Sequence, residues 1–110
     1  MNHSRGDVVW SDDPFKDDPD AGRPWLVLNT DAHPFGDEQY MAVALSTSGY
    51  DAALAIPDKE WIDGGTPRQS YVLPWAVHSP QTRFIEFQQG RLTEAYIEQV
   101  VSELVSYISD

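Results

Sequence analysis

Turn-forming residues interrupt this chain roughly every ten positions, which restricts most of it to short secondary-structure segments. The segments between the turns are rich in β-branched and aromatic residues, as strands are. The predicted strands are 7–11, 24–29, 40–45, 52–56, 70–73 and 82–88. Short strands separated by turns in this way favour an antiparallel barrel or sandwich over alternating strands and helices.

The hydrophobic pattern changes its period near the end of the chain. After Gly90, apolar residues recur at helical spacing at Leu92, Ile97, Val100, Val101, Leu104, Val105 and Ile108. Thr93 is suited to cap the first turn, and Glu94 lies where the helix dipole favours an acid. The sequence therefore predicts a mainly β fold in one domain, 1–110, with a barrel over about 5–90 and a helix over about 93–109 that packs on it.

The chain carries 18 acidic and seven basic residues, for a net charge of −11, and aspartate outnumbers glutamate by 12 to six. This balance has two explanations: a surface that repels nucleic acid and attracts a basic partner, or adaptation to molar salt. Because the acids are spread over several loops and the helix, the sequence favours a halophilic protein. At molar salt the Debye length is about 3 Å, so the net charge does not exclude RNA binding.

Composition also argues against several classes of site and location. The chain has no cysteine, which excludes disulfides, thiolate metal sites and cysteine nucleophiles. The acidic loop 12–20 lacks the glycine and the terminal glutamate of an EF-hand, and His33 and His78 fit no metal-ligand spacing. We therefore expect neither a metal nor another cofactor. No segment resembles a signal peptide or a membrane span, which predicts a cytoplasmic protein.

The tripeptide Gly22-Arg23-Pro24 begins the most apolar of the predicted strands. Gly22 allows a sharp turn, and Pro24 restricts Arg23 to an extended backbone. The nearly continuous apolar run after it is typical of a strand buried on both faces. At the mouth of such a strand, the Arg23 guanidinium can bind a phosphate and stabilise negative charge in a transition state. The alternative is an ion pair with one of the nearby aspartates.

Further candidate side chains are hydroxyls, a histidine and tryptophans. Ser46, Thr47 and Ser48 can donate hydrogen bonds to a phosphate, although such residues are also common in turns. His78 is a candidate general base by residue type, although a lone loop histidine is more often structural. The four tryptophans are candidate platforms for stacking a base, with at least half expected in the core: Trp10, Trp25, Trp61 and Trp75.

Taken in order, these segments resemble the PemK/MazF family of toxins. Residues 5–10 (RGDVVW) are similar to the first strand of that family, and 22–28 (GRPWLVL) to its Gly-x-Arg-Pro strand with one residue fewer between glycine and arginine. Residues 43–48 (VALSTS) correspond to a Pro-Ile-Thr-Ser-like element. Residues 70–73 and 90–93 follow the closing pattern of the family, so that the resemblance spans nearly the whole chain.

The resemblance implies an SH3-like barrel that forms a homodimer and cleaves single-stranded RNA without a metal, leaving a cyclic phosphate and a 5′-hydroxyl. It implies that Arg23 stabilises the phosphorane or protonates the leaving oxygen, and that Ser46 or Thr47 takes the role of the family threonine that orients the phosphate. The expected RNA contacts are Trp25, Ser48 and His78. The implied protein partner is a cognate antitoxin, which should compete with RNA for the same groove.

Some features depart from the family pattern. Ala44 replaces the usual proline, and 73–77 (LPWAV) stands where many members have an Asp-Gln-Val-like stretch. The acidic character is unusual for an RNA-binding protein at low salt. These departures motivate a second hypothesis, in which the chain is a non-catalytic SH3-like module that binds a basic or proline-rich protein.

Overall fold

The computed structural model describes residues 3–109, which form one antiparallel sheet, curled into a half-barrel, and one C-terminal helix. The strands are β1 (Asp7–Asp12), β2 (Gly22–Val27), β3 (Ala42–Ser46), β4 (Leu54–Ala55), β5 (Trp61–Gly64), β6 (Tyr71–His78) and β7 (Phe87–Leu92), and the helix is α1 (Glu94–Ser106). Their order in the sheet is β4-β6-β3-β2-β1-β7-β5. The predicted mainly β fold with a C-terminal helix is confirmed.

Four of the six predicted strands agree with the observed ones to within two residues at either end, and three regions differ. The prediction missed β5, which pairs with β7 and leaves Ile62 largely exposed, so that no apolar run reveals it. The predicted strand 82–88 is wrong in its first half, because Thr82–Phe84 forms a 3-10 turn and β7 begins at Phe87.

Strand β6 continues well past its predicted end at residue 73 and contains a bulge. Val43 of β3 pairs with Val77, and the next residue, Ala44, pairs with Leu73. The extra residues of β6, which include Pro74, are therefore extruded from the ladder, where proline disrupts no pairing. In an amino-acid sequence, a proline usually marks the end of a strand. Pro74 therefore explains why the predicted strand ended too early, at residue 73.

The sheet buries apolar side chains on both of its faces. One face packs against α1 in a cluster that includes Val8, Leu26, Val43, Leu45, Val72, Ile97 and Val100. The opposite face carries a second cluster that includes Val9, Trp25, Val27, Tyr40, Ala42 and Ala44. Successive residues of β2 enter different clusters, since side chains alternate along a strand. The predicted burial of this strand on both faces is confirmed.

Helix α1 begins as predicted and ends three residues earlier than the predicted 109. The Thr93 hydroxyl caps it by accepting a hydrogen bond from the Tyr96 amide at 3.2 Å. The Tyr96 hydroxyl in turn donates to the carbonyls of Leu54 and Ala55, and burial raises the pKa of this phenol. Within residues 3–109, no helix has the length and apolar character needed to cross a membrane.

We predict that Ile97→Ala destabilises the fold far more than Ile108→Ala. Ile97 is 1% exposed between α1 and the sheet, whereas Ile108 is 78% exposed beyond the end of the helix. The buried substitution should lower the free energy of unfolding by about 2–5 kcal/mol, and the exposed one by less than about 0.5 kcal/mol. Urea unfolding at fixed KCl concentration measures both. Equal losses would show that α1 does not pack as described.

Candidate active site

The pairing of β2 with β3 brings the predicted phosphate-binding residues together. Trp25 pairs with Ala44, and continuing this register places Arg23 beside Ser46. A cavity of about 310 Å³ opens at this end of the two strands, and its lining includes Arg23, Ser46 and Thr47. Three side chains that are far apart in sequence therefore meet at one pocket, which we call the arginine pocket.

The remaining lining of the arginine pocket comes from other parts of the sheet. The segment between β5 and β6 contributes Thr66, Pro67, Arg68 and Ser70, while Trp10 and Gln89 come from β1 and β7. Trp10 thus supplies an aromatic surface beside the predicted phosphate site. The lining combines arginines, hydroxyls and one indole, which is the chemistry that single-stranded nucleic acid requires.

Charge is distributed unevenly between this pocket and the rest of the protein. The chain has 18 acidic residues, yet the pocket lining contains two of its arginines and no Asp or Glu. Elsewhere, Arg5 binds Glu94 at 2.8 Å and Arg91 binds Asp7 at 2.6 Å. Arg68 is exposed and forms no ion pair with any residue of the described range 3–109. The arginine pocket is therefore suited to an anion.

The Arg23 guanidinium forms an ion pair and also lines the arginine pocket. Its Nε donates to Asp13 Oδ2 at 2.9 Å, so the alternative of an ion pair with a nearby aspartate is correct. The same side chain lines the arginine pocket, and its Nη atoms make no hydrogen bond within residues 3–109. Ion pairing through Nε leaves the two Nη groups free to bind an anion.

The three candidate hydroxyls occupy different positions. Ser46 Oγ accepts a hydrogen bond from the Ser48 amide at 3.0 Å, which leaves its own hydrogen available for donation. Thr47 is exposed and also lines the pocket. Ser48 is exposed but lies outside the lining, where its amide shapes the turn after β3.

The structure contradicts the expectation that Trp25 stacks on RNA. Trp25 is fully buried, and its Nε1 donates to the Asp12 carbonyl at 3.0 Å, so its role is to hold the end of β1. His78 packs on Trp25 with 4.8 Å between ring centroids, and its Nε2 lies 3.4 Å from Asp12 Oδ2. His78 is therefore separated from the arginine pocket, whose lining does not include it.

A second cavity, of about 630 Å³, shares Arg23 with the arginine pocket. Its lining is mainly apolar and includes Phe15, Tyr50, Trp75 and Val77, all of which are at least 43% exposed. The Tyr50 and Trp75 rings meet edge to face, 6.1 Å apart. The bulge in β6 presents Trp75 to solvent, so the departure from the family pattern at 73–77 forms this surface. We call it the apolar cavity.

Sequence reasoning missed several residues of the arginine pocket. Arg68 follows Gly64, Gly65 and Pro67, the same association of glycine, proline and arginine that marks Arg23. That pattern could have identified it. Gln89 carries no such signal. Within residues 3–109 no group of three or more His, Asp or Glu side chains is placed to hold a metal ion.

Comparison with known proteins finds similar chains among solved structures only. No family model and no curated protein matches the chain. An endoribonuclease from a mycobacterial species superimposes with a TM-score of 0.75, at 18% identity over 98% of this chain and 92% of that one. MazF from Deinococcus radiodurans gives 0.74, at 19% identity over 98% and 97%. A mycobacterial endoribonuclease in complex with its cognate antitoxin gives 0.73, at 19% identity over 97% and 93%.

These similarities establish the fold. The chain folds as the MazF endoribonucleases do over nearly the whole length of both, and the predicted PemK/MazF-type fold is confirmed. At 18–19% identity the likeness does not extend to substrate or partner.

Gly22 has no room for a side chain, which generates a prediction about the pocket wall. A Cβ there would lie 2.5 Å from Trp10 Nε1, and Trp10 is itself stacked on Phe87 with 5.9 Å between centroids. We expect Gly22→Ala to displace the indole, change the near-ultraviolet circular dichroism, and destabilise the protein by about 1–3 kcal/mol.

Gly36→Ala is the matched control, because the nearest atom to its Cβ would be 3.7 Å away. The Gly22→Ala change should cost less stability in a Trp10→Ala background, where the clash with the indole is absent and only the Ser11 carbonyl, at 3.0 Å, remains close. An equal cost in both backgrounds would show that the indole does not lie over Gly22.

Proposed function

We propose that this protein is the toxin of a type II toxin–antitoxin system, an endoribonuclease that cleaves single-stranded RNA without a metal ion. The observation that carries the proposal is the arginine pocket, in which Arg23, Ser46 and Thr47 meet at adjacent strand ends. The MazF-type fold of the chain supports it.

The proposed substrate follows from the composition of the pocket. Arg68 and the Nη groups of Arg23, whose Nε is paired with Asp13, can attract phosphate, and Trp10 offers a surface on which an unpaired base can stack. Serine and threonine hydroxyls add hydrogen bonds to phosphate oxygens. Single-stranded RNA provides phosphate and freely oriented bases together, and also the 2′-hydroxyl that acts as the nucleophile.

In the proposed reaction, the ribose 2′-oxygen attacks the adjacent phosphorus, and the bond from phosphorus to the 5′-oxygen breaks. The products are a cyclic phosphate and a 5′-hydroxyl. Arg23 donates hydrogen bonds from its Nη groups to the phosphorane oxygens, since a guanidinium keeps its proton at accessible pH. Ser46 and Thr47 orient the phosphate. The described lining has no Asp, Glu or His, so protons leave the 2′-hydroxyl and reach the 5′-oxygen through water.

The apolar cavity supports a proposal about protein partners. We propose that a segment of the cognate antitoxin covers this cavity and Arg23, and that it thereby excludes RNA. We also propose a homodimer, by analogy with the PemK/MazF family that the sequence resembles. A cytoplasmic location follows from the RNA substrate.

The cleavage test uses mixed single-stranded RNA with EDTA, at KCl concentrations from low to molar. We expect cutting that leaves cyclic phosphate ends, and we expect Arg23→Ala to lower the rate by about a hundredfold or more. Arg83→Ala is the matched control, because Arg83 hydrogen bonds Gln81 and stacks on Phe84 outside the pocket. Intact RNA at every salt concentration, with protein shown to be folded, would instead favour the binding-module hypothesis.

An Arg68→Ala variant in the same experiment separates binding from chemistry. Arg68 is exposed and unpaired within residues 3–109, so it is suited to a phosphate contact. Its loss should weaken binding of a 2′-deoxy oligonucleotide and reduce the slope of log affinity against log salt by about 0.7. The cleavage rate at saturating RNA should remain near that of wild type.

The proposed partners lead to two predictions, one about the mass of the protein in solution and one about competition between the antitoxin and RNA. Light scattering in KCl should give twice the mass of one chain, and the cognate antitoxin should abolish cleavage in proportion to its occupancy. Trp75→Asp should weaken that inhibition, because it places a charge in the apolar cavity. A monomer, or an inhibitor that binds together with RNA, would contradict the proposal.

A further inference from the structure

We propose that Asp13 is a positioning residue for Arg23. Its buried carboxylate holds the guanidinium by Nε, so that both Nη groups remain available to the scissile phosphate. The inference deepens the proposed function and rests on it. Its subject is a residue that neither lines the arginine pocket nor contacts RNA in the proposal.

The Asp13 carboxylate is held at both of its oxygens. Its side chain is 1% exposed, and Oδ2 accepts from Arg23 Nε at 2.9 Å. Oδ1 accepts from the Phe15 amide, also at 2.9 Å. A buried carboxylate with one oxygen fixed by the backbone has little freedom to rotate, so it presents the other oxygen in one direction.

The backbone that carries Asp13 is also held from several sides. The Asp13 amide donates to the Ala21 carbonyl at 2.9 Å, which closes the hairpin loop at its base. One residue earlier, the Asp12 carbonyl accepts from the buried Trp25 indole at 3.0 Å. Trp25 therefore contributes to the site from the core, through the strand end on which Asp13 lies.

The contact at Nε determines what Arg23 offers to the pocket. A free arginine has many rotamers, and ordering them would oppose binding of the transition state. Asp13 removes that freedom in advance, and the Phe15 ring lies beside the guanidinium, with 5.8 Å from its centroid to the Arg23 Cζ atom. The Nη groups then form a preorganised pair of donors, as bidentate recognition of a phosphate requires.

A merely structural ion pair would behave differently, and the chain contains one for comparison. Asp7 is also buried, with a side chain 6% exposed, and it binds Arg91 Nη1 at 2.6 Å. Neither Asp7 nor Arg91 lines the arginine pocket or the apolar cavity. Asp7→Asn therefore reproduces the loss of a buried charged partner without affecting the proposed chemistry.

The first test compares Asp13→Asn with Asp7→Asn in single-turnover cleavage and in binding of a 2′-deoxy oligonucleotide. We expect Asp13→Asn to lower the cleavage rate by up to about a hundredfold, the effect of misplacing a catalytic group. Its oligonucleotide affinity should be unchanged or higher, because a negative charge near the site is lost. Asp7→Asn should keep the wild-type rate per folded molecule, with folding checked by urea titration.

A double-mutant cycle establishes whether Asp13 acts through Arg23. In an Arg23→Ala background, Asp13→Asn should cause no further loss of rate. The same loss in both backgrounds would overturn the proposal, as would a wild-type rate for Asp13→Asn. Should Asp13→Asn fail to fold, Asp13→Glu keeps the charge and displaces the carboxylate by one methylene, and the same reduction in rate is expected.

A measurement without RNA separates this inference from the proposed function. In ¹H–¹⁵N spectra, the Arg23 Nε–H should give a slowly exchanging signal in wild type and in Asp7→Asn, and should lose it in Asp13→Ala, which has no side-chain oxygen to accept the hydrogen bond. If the signal is lost in Asp13→Ala but wild type does not cleave RNA, the ribonuclease is refuted and the fixed guanidinium is retained. A signal that persists in Asp13→Ala would overturn the inference even if wild type cleaves RNA.

Discussion

The burial of β2 on both faces is the constraint on which the rest of the structure depends. Leu26 packs in the cluster covered by α1, while Trp25 and Val27 pack in the opposite one. A shift of one residue would exchange the two faces, so both cores oppose any slip of the strand. The two cores thereby fix the register of β2 with β1 and β3. Arg23 lies at the end of this strand, so its position is fixed by the same register.

The site is built outward from that strand end. Arg23 contributes from β2, its partner Asp13 follows β1, and Ser46 ends β3, so three neighbouring strands determine one small volume. The absence of acids from the pocket lining then sets its electrostatic character within a strongly acidic chain. At molar salt the Debye length is about 3 Å, so only charged groups in close contact with a phosphate would retain much of their attraction for it. The arrangement suits an enzyme that works by positioning and electrostatic stabilisation.

The two sides of Arg23 suggest how activity and inhibition are related. One side contributes to the arginine pocket, for which we propose an RNA ligand, and the other contributes to the apolar cavity formed around the β6 bulge. A protein segment that fills the apolar cavity would reach the same guanidinium that the proposed reaction uses. Inhibition would then need no change in the fold, because the two ligands would compete for one side chain.

The sequence alone determined the fold class, the helix with its cap at Thr93, and Arg23, Ser46 and Thr47 as candidate site residues. Periodicity and turn chemistry are local, so they can be read without a structure. Only the tertiary structure decided that Asp13 pairs with Arg23, that Arg68 lines the pocket, and that Trp10 rather than Trp25 faces it. Alternation shows that neighbouring side chains point to opposite faces, but whether a face is covered depends on contacts between residues distant in sequence.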